Sequence, residues 1–123
     1  MRTVMSAPKK HRAKALMHLH LSGFYKFLSI VDNRVFQMNC WFEGHVQGVG
    51  FRYQTVGVAK GFDVTGYIQN MVDGRVHLYA EGEETEVVAF QAEVESELKN
   101  YIKETEIKTG NGDRACRNFR IEE

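Results

Sequence analysis

The chain of 123 residues is long enough for one hydrophobic core and too short for two of ordinary size. Apolar residues make up 43% of it, and the longest mostly apolar stretch, residues 15–31, carries two histidines, a lysine and two serines, which excludes a membrane-spanning helix. The net charge is zero, but residues 1–37 hold seven basic residues and one acid, while residues 38–123 hold nine basic and 15 acidic residues.

The charge pattern predicts a basic, poorly ordered N-terminal extension over residues 1–37 and one domain over residues 38–123. Transit peptides share the composition of this extension, but no small-x-small cleavage site follows its apolar stretch, which disfavours a secretory signal. A basic arm that binds nucleic acid is one alternative. A metal site at His18 and His20, with His11 nearby, is a weaker one, because no cysteine or carboxylate partner accompanies the histidines.

Hydrophobic periodicity from Met38 onward predicts a regular order of strands and helices. The predicted elements are a strand over 38–44, a helix over 51–62, strands over 63–70 and 75–81, a helix over 83–99, a strand over 101–109 and a short terminal strand over 119–121. Asp73-Gly74 is typical of a hairpin turn, and residues 110–113 are predicted to turn the chain. The first six of these elements have the order β-α-β-β-α-β, which favours an α+β ferredoxin-like sandwich, an antiparallel sheet with two helices on one face.

Residues 43–52, Glu-Gly-His-Val-Gln-Gly-Val-Gly-Phe-Arg, place a glycine-containing loop between a predicted strand and a predicted helix. Glycines allow successive backbone N–H groups to converge on an anion, and a helix N-terminus adds further unpaired donors. Arg52 adds a planar guanidinium suited to two phosphate oxygens. The segment therefore fits a phosphate or carboxylate site. An ordinary tight turn with a surface arginine explains the same residues equally well, and the spacing of a Walker loop is absent.

A second segment, residues 66–76, ends a predicted strand at Asn70, just before the hairpin, where asparagine commonly shapes a turn. Taken together, Gly-x-Val-Gln-Gly-Val-x-Phe-Arg at 44–52 and Gly-Tyr-Ile-Gln-Asn-x-x-x-Gly-x-Val at 66–76 resemble the two sequence motifs of the acylphosphatase family. The terminal Phe119-x-Ile121 is similar to that family's last strand. The resemblance covers residues 38–123, with both motifs in the family's order and spacing.

The resemblance implies a small ferredoxin-like enzyme that hydrolyses the carboxyl–phosphate bond of acyl phosphates. By motif position, it implies two catalytic residues: Arg52, which binds the phosphoryl group, and Asn70, which holds the attacking water. Backbone N–H groups of the loop would bind the same phosphoryl oxygens, and the loop residues are His45, Val46, Gln47, Gly48, Val49 and Gly50. No metal, nucleotide, other cofactor or covalent phosphoenzyme is implied, and the implied partner is a small-molecule acyl phosphate.

The sequence departs from the family pattern at three positions. His45 stands where many members have arginine, Gly57 lies inside the first predicted helix, and Asp63 follows that helix where glycine is common. We expect His45 to tune the charge of the loop rather than to react. We also expect a cytoplasmic monomer that binds neither membrane nor nucleic acid, with Cys40 and Cys116 as reduced thiols.

Two other functions stay open at this point. Trp41, His77 and Tyr79 are predicted on the uncovered face of the sheet, where RNA-binding domains of similar topology present stacking aromatic rings. The acidic excess after residue 37 disfavours such a polyanionic ligand. The other function is that of a carbamoyl-phosphate-handling domain of a larger enzyme, which we expect to need partner domains beyond this chain.

Overall fold

A computed structural model describes residues 33–123 as two helices packed on a five-stranded sheet. The elements in chain order are β1 (Arg34–Gly44), α1 (Phe51–Ala59), β2 (Val64–Asn70), β3 (Val76–Gly82), α2 (Glu84–Glu97), β4 (Ile102–Asp113) and β5 (Phe119–Glu122). The strand order across the sheet is β4-β1-β3-β2-β5. Strands β1 to β4 pair antiparallel, and β5 lies parallel to β2 at one edge. The predicted ferredoxin-like fold is confirmed, with a mixed sheet rather than a wholly antiparallel one.

The core lies between the sheet and the two helices, where the alternation of apolar residues predicted it. The strand residues that face the helices include Met38, Cys40, Phe42, Val76, Leu78 and Ala80, each at most 5% exposed. α2 contributes Val87, Phe90 and Val94 on one face of the helix, and Leu98 follows directly after it; all four are fully buried. Burying each large apolar side chain stabilises the fold by about 1.5–3 kcal/mol, so this layer is the main source of stability.

The ladder between β1 and β4 is longer than predicted at one end, where both strands extend beyond their predicted bounds. β1 begins at Arg34 rather than at Met38, inside the segment predicted to be an extension. β4 continues to Asp113, so residues 110–113 belong to a strand and the predicted turn there is wrong. Both extensions have the same cause, because residues 34–37 of β1 pair with residues 110–113 of β4. Each segment supplies the hydrogen-bonding partner that the other lacks locally.

The first helix is shorter than predicted. α1 ends at Ala59, and the N–H groups of Lys60, Gly61 and Phe62 each bond to the carbonyl three residues back, which closes the helix with a tight final turn. Neither described helix, α1 or α2, is long and apolar enough to cross a membrane. The sequence interpretations of residues 1–32, including the metal site at His18 and His20, lie outside the described residues.

The sheet face opposite the helices is partly covered, whereas the sequence predicted it to be open. Glu81 of β3 is fully buried beneath the segment between β4 and β5, residues 114–118, which we call the crossover. Its Oε1 accepts hydrogen bonds from the Tyr79 hydroxyl at 2.7 Å and the Ala115 N–H at 2.8 Å. Its Oε2 accepts from the Thr65 hydroxyl at 2.8 Å and the Cys116 N–H at 2.7 Å. This carboxylate therefore fastens the crossover to the sheet.

The same hydrogen bonds decide the ionisation of Glu81. Burial by itself raises the pKa of the carboxyl, because it disfavours the charged form. The bonds from the two backbone N–H groups and the two hydroxyls stabilise the charged form and outweigh burial, so the pKa of Glu81 lies below its ordinary value.

Candidate functional site

The loop after β1 and the end of β2 meet at one end of the sheet. Phe42 on β1 and Asn70 on β2 both lie opposite Val76, the first residue of β3. Neighbouring strands are about 4.8 Å apart, so Asn70 lies about two strand spacings from the point where β1 leads into the loop. The sheet register therefore brings the two sequence motifs together.

The β1–α1 loop, residues 45–50, is anchored at both ends. The His45 N–H donates to the Tyr101 carbonyl at 2.9 Å, just after β1. The Val46 side chain is buried in the core, 1% exposed, and Phe51 at the start of α1 is 2% exposed. These contacts hold the backbone between the anchors in place, and they do not involve the N–H groups of that backbone.

Two glycines give the β1–α1 loop its shape. Gly48 and Gly50 have φ values of +79° and +81°, in the left-handed region that other residues adopt at a cost of about 1–2 kcal/mol. A Cβ at Gly48 would meet no atom of the described residues within 4 Å, and one at Gly50 would meet only the Gln54 amide at 4.0 Å. The glycines therefore serve the backbone conformation, and the space beside them is open.

The donors of the β1–α1 loop and of the first turn of α1 are unpaired. The Gln54 N–H bonds to the Gly50 carbonyl at 3.0 Å, but the N–H groups of residues 46–53 have no acceptor within residues 33–123. The positive end of the helix dipole lies at the same place. A run of unpaired N–H groups at a helix N-terminus is a binding site for an anion, and phosphate is a common one.

Arg52 lies in the first turn of α1, directly after the loop. Its side chain is half-buried, and within the described part of the chain its guanidinium has no hydrogen-bond or ion-pair partner. Arg75 and Arg120, by contrast, each pair with a carboxylate. The guanidinium of Arg52 is thus available to an anionic ligand bound by the loop.

Asn70 is the last residue of β2, and its side-chain oxygen is unusual. The Asn70 Oδ1 is buried, and no donor within residues 33–123 bonds to it. Leaving a buried polar atom unpaired costs about 1–3 kcal/mol, so such an atom calls for an explanation, and an ordered water or ligand is one. The turn itself is shaped by Asp73, whose Oδ1 accepts the Arg75 N–H at 3.0 Å. Turn formation therefore does not account for Asn70.

Gln47 has contacts that the sequence motif did not indicate. The β2–β3 turn, residues 71–75, follows Asn70, and the Gln47 Nε2 donates to two of its carbonyls, Met71 at 2.9 Å and Arg75 at 3.0 Å. The side chain of Gln47 thus joins the β1–α1 loop to the turn, while its backbone N–H belongs to the unpaired set. His45 is different, because its side chain is exposed and makes no hydrogen bond within residues 33–123.

The aromatic residues on the other face of the sheet contact one another. The rings of Trp41 and His77 are stacked, with centroids 5.0 Å apart and an interplanar angle of 6°, and the Lys108 Nζ lies 5.7 Å from the Trp41 ring centre. The His77 Nε2 is 2.8 Å from the Asn39 Oδ1, and burial followed by the nearby Arg75 charge lowers the pKa of His77. Trp41 and His77 thus stack on each other, as aromatic residues that support a sheet surface do.

Fold and site together define a ferredoxin-like domain with a loop of unpaired N–H groups, an available arginine and a buried amide oxygen at one end of its sheet. Comparison with known proteins gives the family. The sequence model of the acylphosphatase family matches residues 38–121. The chain therefore belongs to the acylphosphatase family.

Two curated relatives show the extent of the sequence similarity. The acylphosphatase of Archaeoglobus fulgidus is 46% identical over 59 residues, which are 48% of this chain and 66% of that protein. The acylphosphatase of Thermotoga petrophila is 56% identical over 52 residues, which are 42% of this chain and 58% of that protein. The matches thus span about three-fifths of the relatives' own length.

Solved structures extend the similarity to about seven-tenths of the chain. The acylphosphatase from Bacillus subtilis has a TM-score of 0.57 at 29% identity, covering 72% of this chain and 99% of that chain. Full-length HypF in its phosphate- and nucleotide-bound form has a TM-score of 0.61 at 25% identity, covering 72% of this chain and 12% of that chain. The fold is therefore similar to nearly all of one acylphosphatase and to a small part of a much larger protein.

Proposed function

We propose that this chain is an acylphosphatase that hydrolyses the carboxyl–phosphate bond of acyl phosphates to a carboxylate and inorganic phosphate. The observation that carries the proposal is that two sets of polar atoms without hydrogen-bond partners within residues 33–123 lie at the same end of the sheet. One set is the unpaired N–H groups of residues 46–53 with the Arg52 guanidinium, and the other is the buried Asn70 Oδ1. The first set suits the oxygens of a phosphoryl group, and the second suits a hydrogen of a water. Membership of the family supports the same assignment.

The phosphoryl group is bound by charge and by directed N–H groups. Arg52 donates two parallel hydrogen bonds to phosphoryl oxygens, and the N–H groups of the β1–α1 loop bind the same oxygens from the backbone. Negative charge is spread over these oxygens in the transition state of phosphoryl transfer, so donors already in place lower the barrier.

The attacking water is held by Asn70. A carbonyl oxygen only accepts hydrogen bonds, so Oδ1 takes one hydrogen of the water and leaves a water lone pair to face phosphorus. Holding the nucleophile in line with the leaving oxygen is an effective way to accelerate a reaction that depends chiefly on positioning.

The reaction balances without a further protein group. The water oxygen forms a bond to phosphorus, the bond between phosphorus and the acyl oxygen breaks, and the electron pair leaves on the carboxylate. The conjugate acid of that carboxylate has a pKa of about 4, so no general acid is needed. The proton from water passes to a phosphoryl oxygen of the substrate, because neither Arg52 nor Asn70 is a base at neutral pH. His45 adjusts the local charge without taking part.

The proposed setting is the cytoplasm, with the protein acting as a monomer on a small molecule, without metal or cofactor and without nucleic acid or membrane. Both cysteines, Cys40 and Cys116, are free and buried. Burial, with a contribution from Glu95, raises the pKa of Cys40. Free, unreactive thiols of this kind are compatible with the proposed reducing compartment.

Hydrolysis of benzoyl phosphate and acetyl phosphate by the full chain tests the proposal. We expect Arg52→Ala to stay folded, to lose about a hundredfold to a thousandfold in kcat/KM and to lose competitive inhibition by inorganic phosphate. The matched control is Arg120→Ala, which removes an arginine paired with Glu122 at the β5 edge and should leave both measurements unchanged. A chelator should not change the wild-type rate. Full phosphate inhibition of Arg52→Ala would contradict the role of Arg52, and no hydrolysis by the wild type would contradict the function.

A further inference from the structure

We propose that Gln47 is a positioning residue that holds Asn70 at a fixed position relative to the β1–α1 loop. The inference rests on the proposed function and concerns how the two halves of that site are joined. The Gln47 Nε2 donates to the Met71 carbonyl at 2.9 Å and to the Arg75 carbonyl at 3.0 Å. A side-chain amide has two N–H donors, so both are used at the β2–β3 turn and neither is left for a ligand.

The two acceptors are the carbonyls that close the turn itself. The Met71 N–H donates to the Arg75 carbonyl at 2.8 Å, and the Gly74 N–H donates to the Met71 carbonyl at 3.1 Å. Gln47 therefore adds a second donor to each closing carbonyl. Any movement of the β1–α1 loop is transmitted through this amide to both ends of the turn.

Apart from the sheet register and the anchored ends of the loop, Gln47 makes the direct link between the loop and the turn after Asn70. The backbone of Asn70 is paired with Val76 in the sheet, but its Oδ1 receives no hydrogen bond within residues 33–123. Over the same residues, no hydrogen bond other than the two from Gln47 joins the β1–α1 loop to residues 70–75. Within the frame that the sheet provides, Gln47 therefore fixes the final distance between the bound phosphoryl group and the water on Asn70.

If Gln47 is a positioning residue, its substitution should lower turnover and leave phosphate binding nearly unchanged. Gln47→Met keeps the side-chain length and removes both donors, while the turn carbonyls keep their backbone partners. Arg52 and the loop N–H groups still bind phosphate, so the phosphate inhibition constant should change less than about threefold. The turnover number kcat for benzoyl phosphate should fall about tenfold or more, because alignment of the nucleophile matters mainly in the transition state.

The matched control is Gln37→Met at the opposite end of the sheet. The Gln37 Nε2 also donates to a distant backbone carbonyl, that of Asp113 at 3.1 Å, and thus makes the same kind of contact far from the site. We expect its kcat and phosphate inhibition constant to equal those of the wild type. Gln47→Asn, shorter by one methylene, keeps the amide without reaching both carbonyls and should lose turnover to an intermediate extent.

A double-mutant cycle decides whether Gln47 acts through Asn70. In an Asn70→Ala background the water is already unaligned, so adding Gln47→Met should lower kcat by less than about twofold. In a Gln37→Met background it should keep its full effect. If Gln47→Met does not fold, the cycle is run with Gln47→Asn.

Two outcomes would overturn the inference while the wild type is active. One is that the losses in kcat from Gln47→Met and Asn70→Ala multiply. The other is that the phosphate inhibition constant rises in step with the fall in kcat, which would make Gln47 part of phosphate binding. A wild-type chain that hydrolyses no acyl phosphate would instead contradict the proposed function.

Discussion

Glu81 offers the sharpest test of how the sheet and the crossover are held together. The carboxylate accepts four hydrogen bonds, two of them from the backbone N–H groups of Ala115 and Cys116 in the crossover. Glu81→Ala removes every acceptor at once. We expect the variant to fold, to melt well below the wild type and to release the crossover before the rest of the domain.

The magnitude follows from which donors are left without a partner. The hydroxyls of Thr65 and Tyr79 can rotate toward other acceptors, but the two N–H groups are fixed by the backbone. Each buried donor left unpaired costs about 1–3 kcal/mol, so the loss for alanine should be about 2–6 kcal/mol. For a domain of this size, 1 kcal/mol shifts Tm by about 4–8 °C, so a decrease of at least about 8 °C is expected. Glu81→Gln keeps one carbonyl oxygen for one of the two N–H groups and should lose about half as much.

Thermal unfolding followed by circular dichroism at pH 7 measures these differences. The control is Glu106→Ala on β4, which removes an exposed carboxylate paired with Arg75 at 3.5 Å and Lys108 at 3.8 Å. Surface ion pairs contribute about 0–1 kcal/mol, so this variant should melt close to the wild type. If Glu81→Ala melted as high as Glu106→Ala, the carboxylate would not be what holds the crossover.

The pH dependence has a definite sign. The pKa of Glu81 is lowered in the folded protein, because the hydrogen bonds to its charged form outweigh burial. Its contribution to stability is therefore complete above the ordinary glutamate pKa of about 4.3 and is lost as pH falls through the lower folded value. The difference in Tm between the wild type and Glu81→Gln should stay constant from pH 8 to about pH 6 and shrink below about pH 4.

Three further predictions concern the site, α1 and the start of β1. Asn70→Ala should lower kcat for benzoyl phosphate about a hundredfold or more with little change in the phosphate inhibition constant, and Asn70→Asp should do no better because its charge repels phosphate. Gly50→Ala should weaken phosphate inhibition and lower stability by about 1–2 kcal/mol, since alanine resists its φ of +81°. The matched Gly57→Ala, inside α1, should raise stability by about 1 kcal/mol with unchanged activity. A chain beginning at Met38 should hydrolyse within about twofold of the full chain. It should nevertheless melt below a chain beginning at Asn33, because it lacks residues that pair with β4.

Each of these predictions has an outcome that contradicts it. Near-normal turnover of Asn70→Ala together with lost phosphate affinity would place Asn70 among the phosphate ligands. Equal effects of the two glycine substitutions would show that the left-handed conformation in the loop is unimportant. Equal melting temperatures for the two shortened chains would show that the first residues of β1 add nothing to the domain.

Local patterns were sufficient for most of the fold. Hydrophobic periodicity predicted both α2 and β3, and it reports which residues share a face. Val87, Phe90 and Val94 of α2 and Val76 and Leu78 of β3 follow these periods and are buried between the helices and the sheet. The pairing of residues 110–113 with β1 was missed, because glycine and asparagine favour turns locally and only a partner distant in the chain makes them a strand.

The sequence named candidate site residues but not the contacts between them. The two motifs pointed to Arg52 and Asn70 because each motif is contiguous in the sequence. The amide of Gln47 and the carboxylate of Glu81 were not recognised, since both act on backbone groups far along the chain. Glu81 occupies an alternating outward position, for which periodicity predicts exposure, and only the crossover above it makes it buried.

The ladder between β1 and β4 also has a consequence for how the chain folds. It pairs Gly44 with Ile102 at one end and Arg34 with Asp113 at the other. A strand near the start of the domain therefore cannot form this ladder until a strand near the end of the domain is available. Contacts of such high sequence separation carry a large loop-closure entropy and slow folding. At a synthesis rate of about 5–20 residues per second, β1 emerges several seconds before β4 exists. During that interval its β4-facing edge has no partner, and it is then that a nascent chain is most exposed to association with other chains.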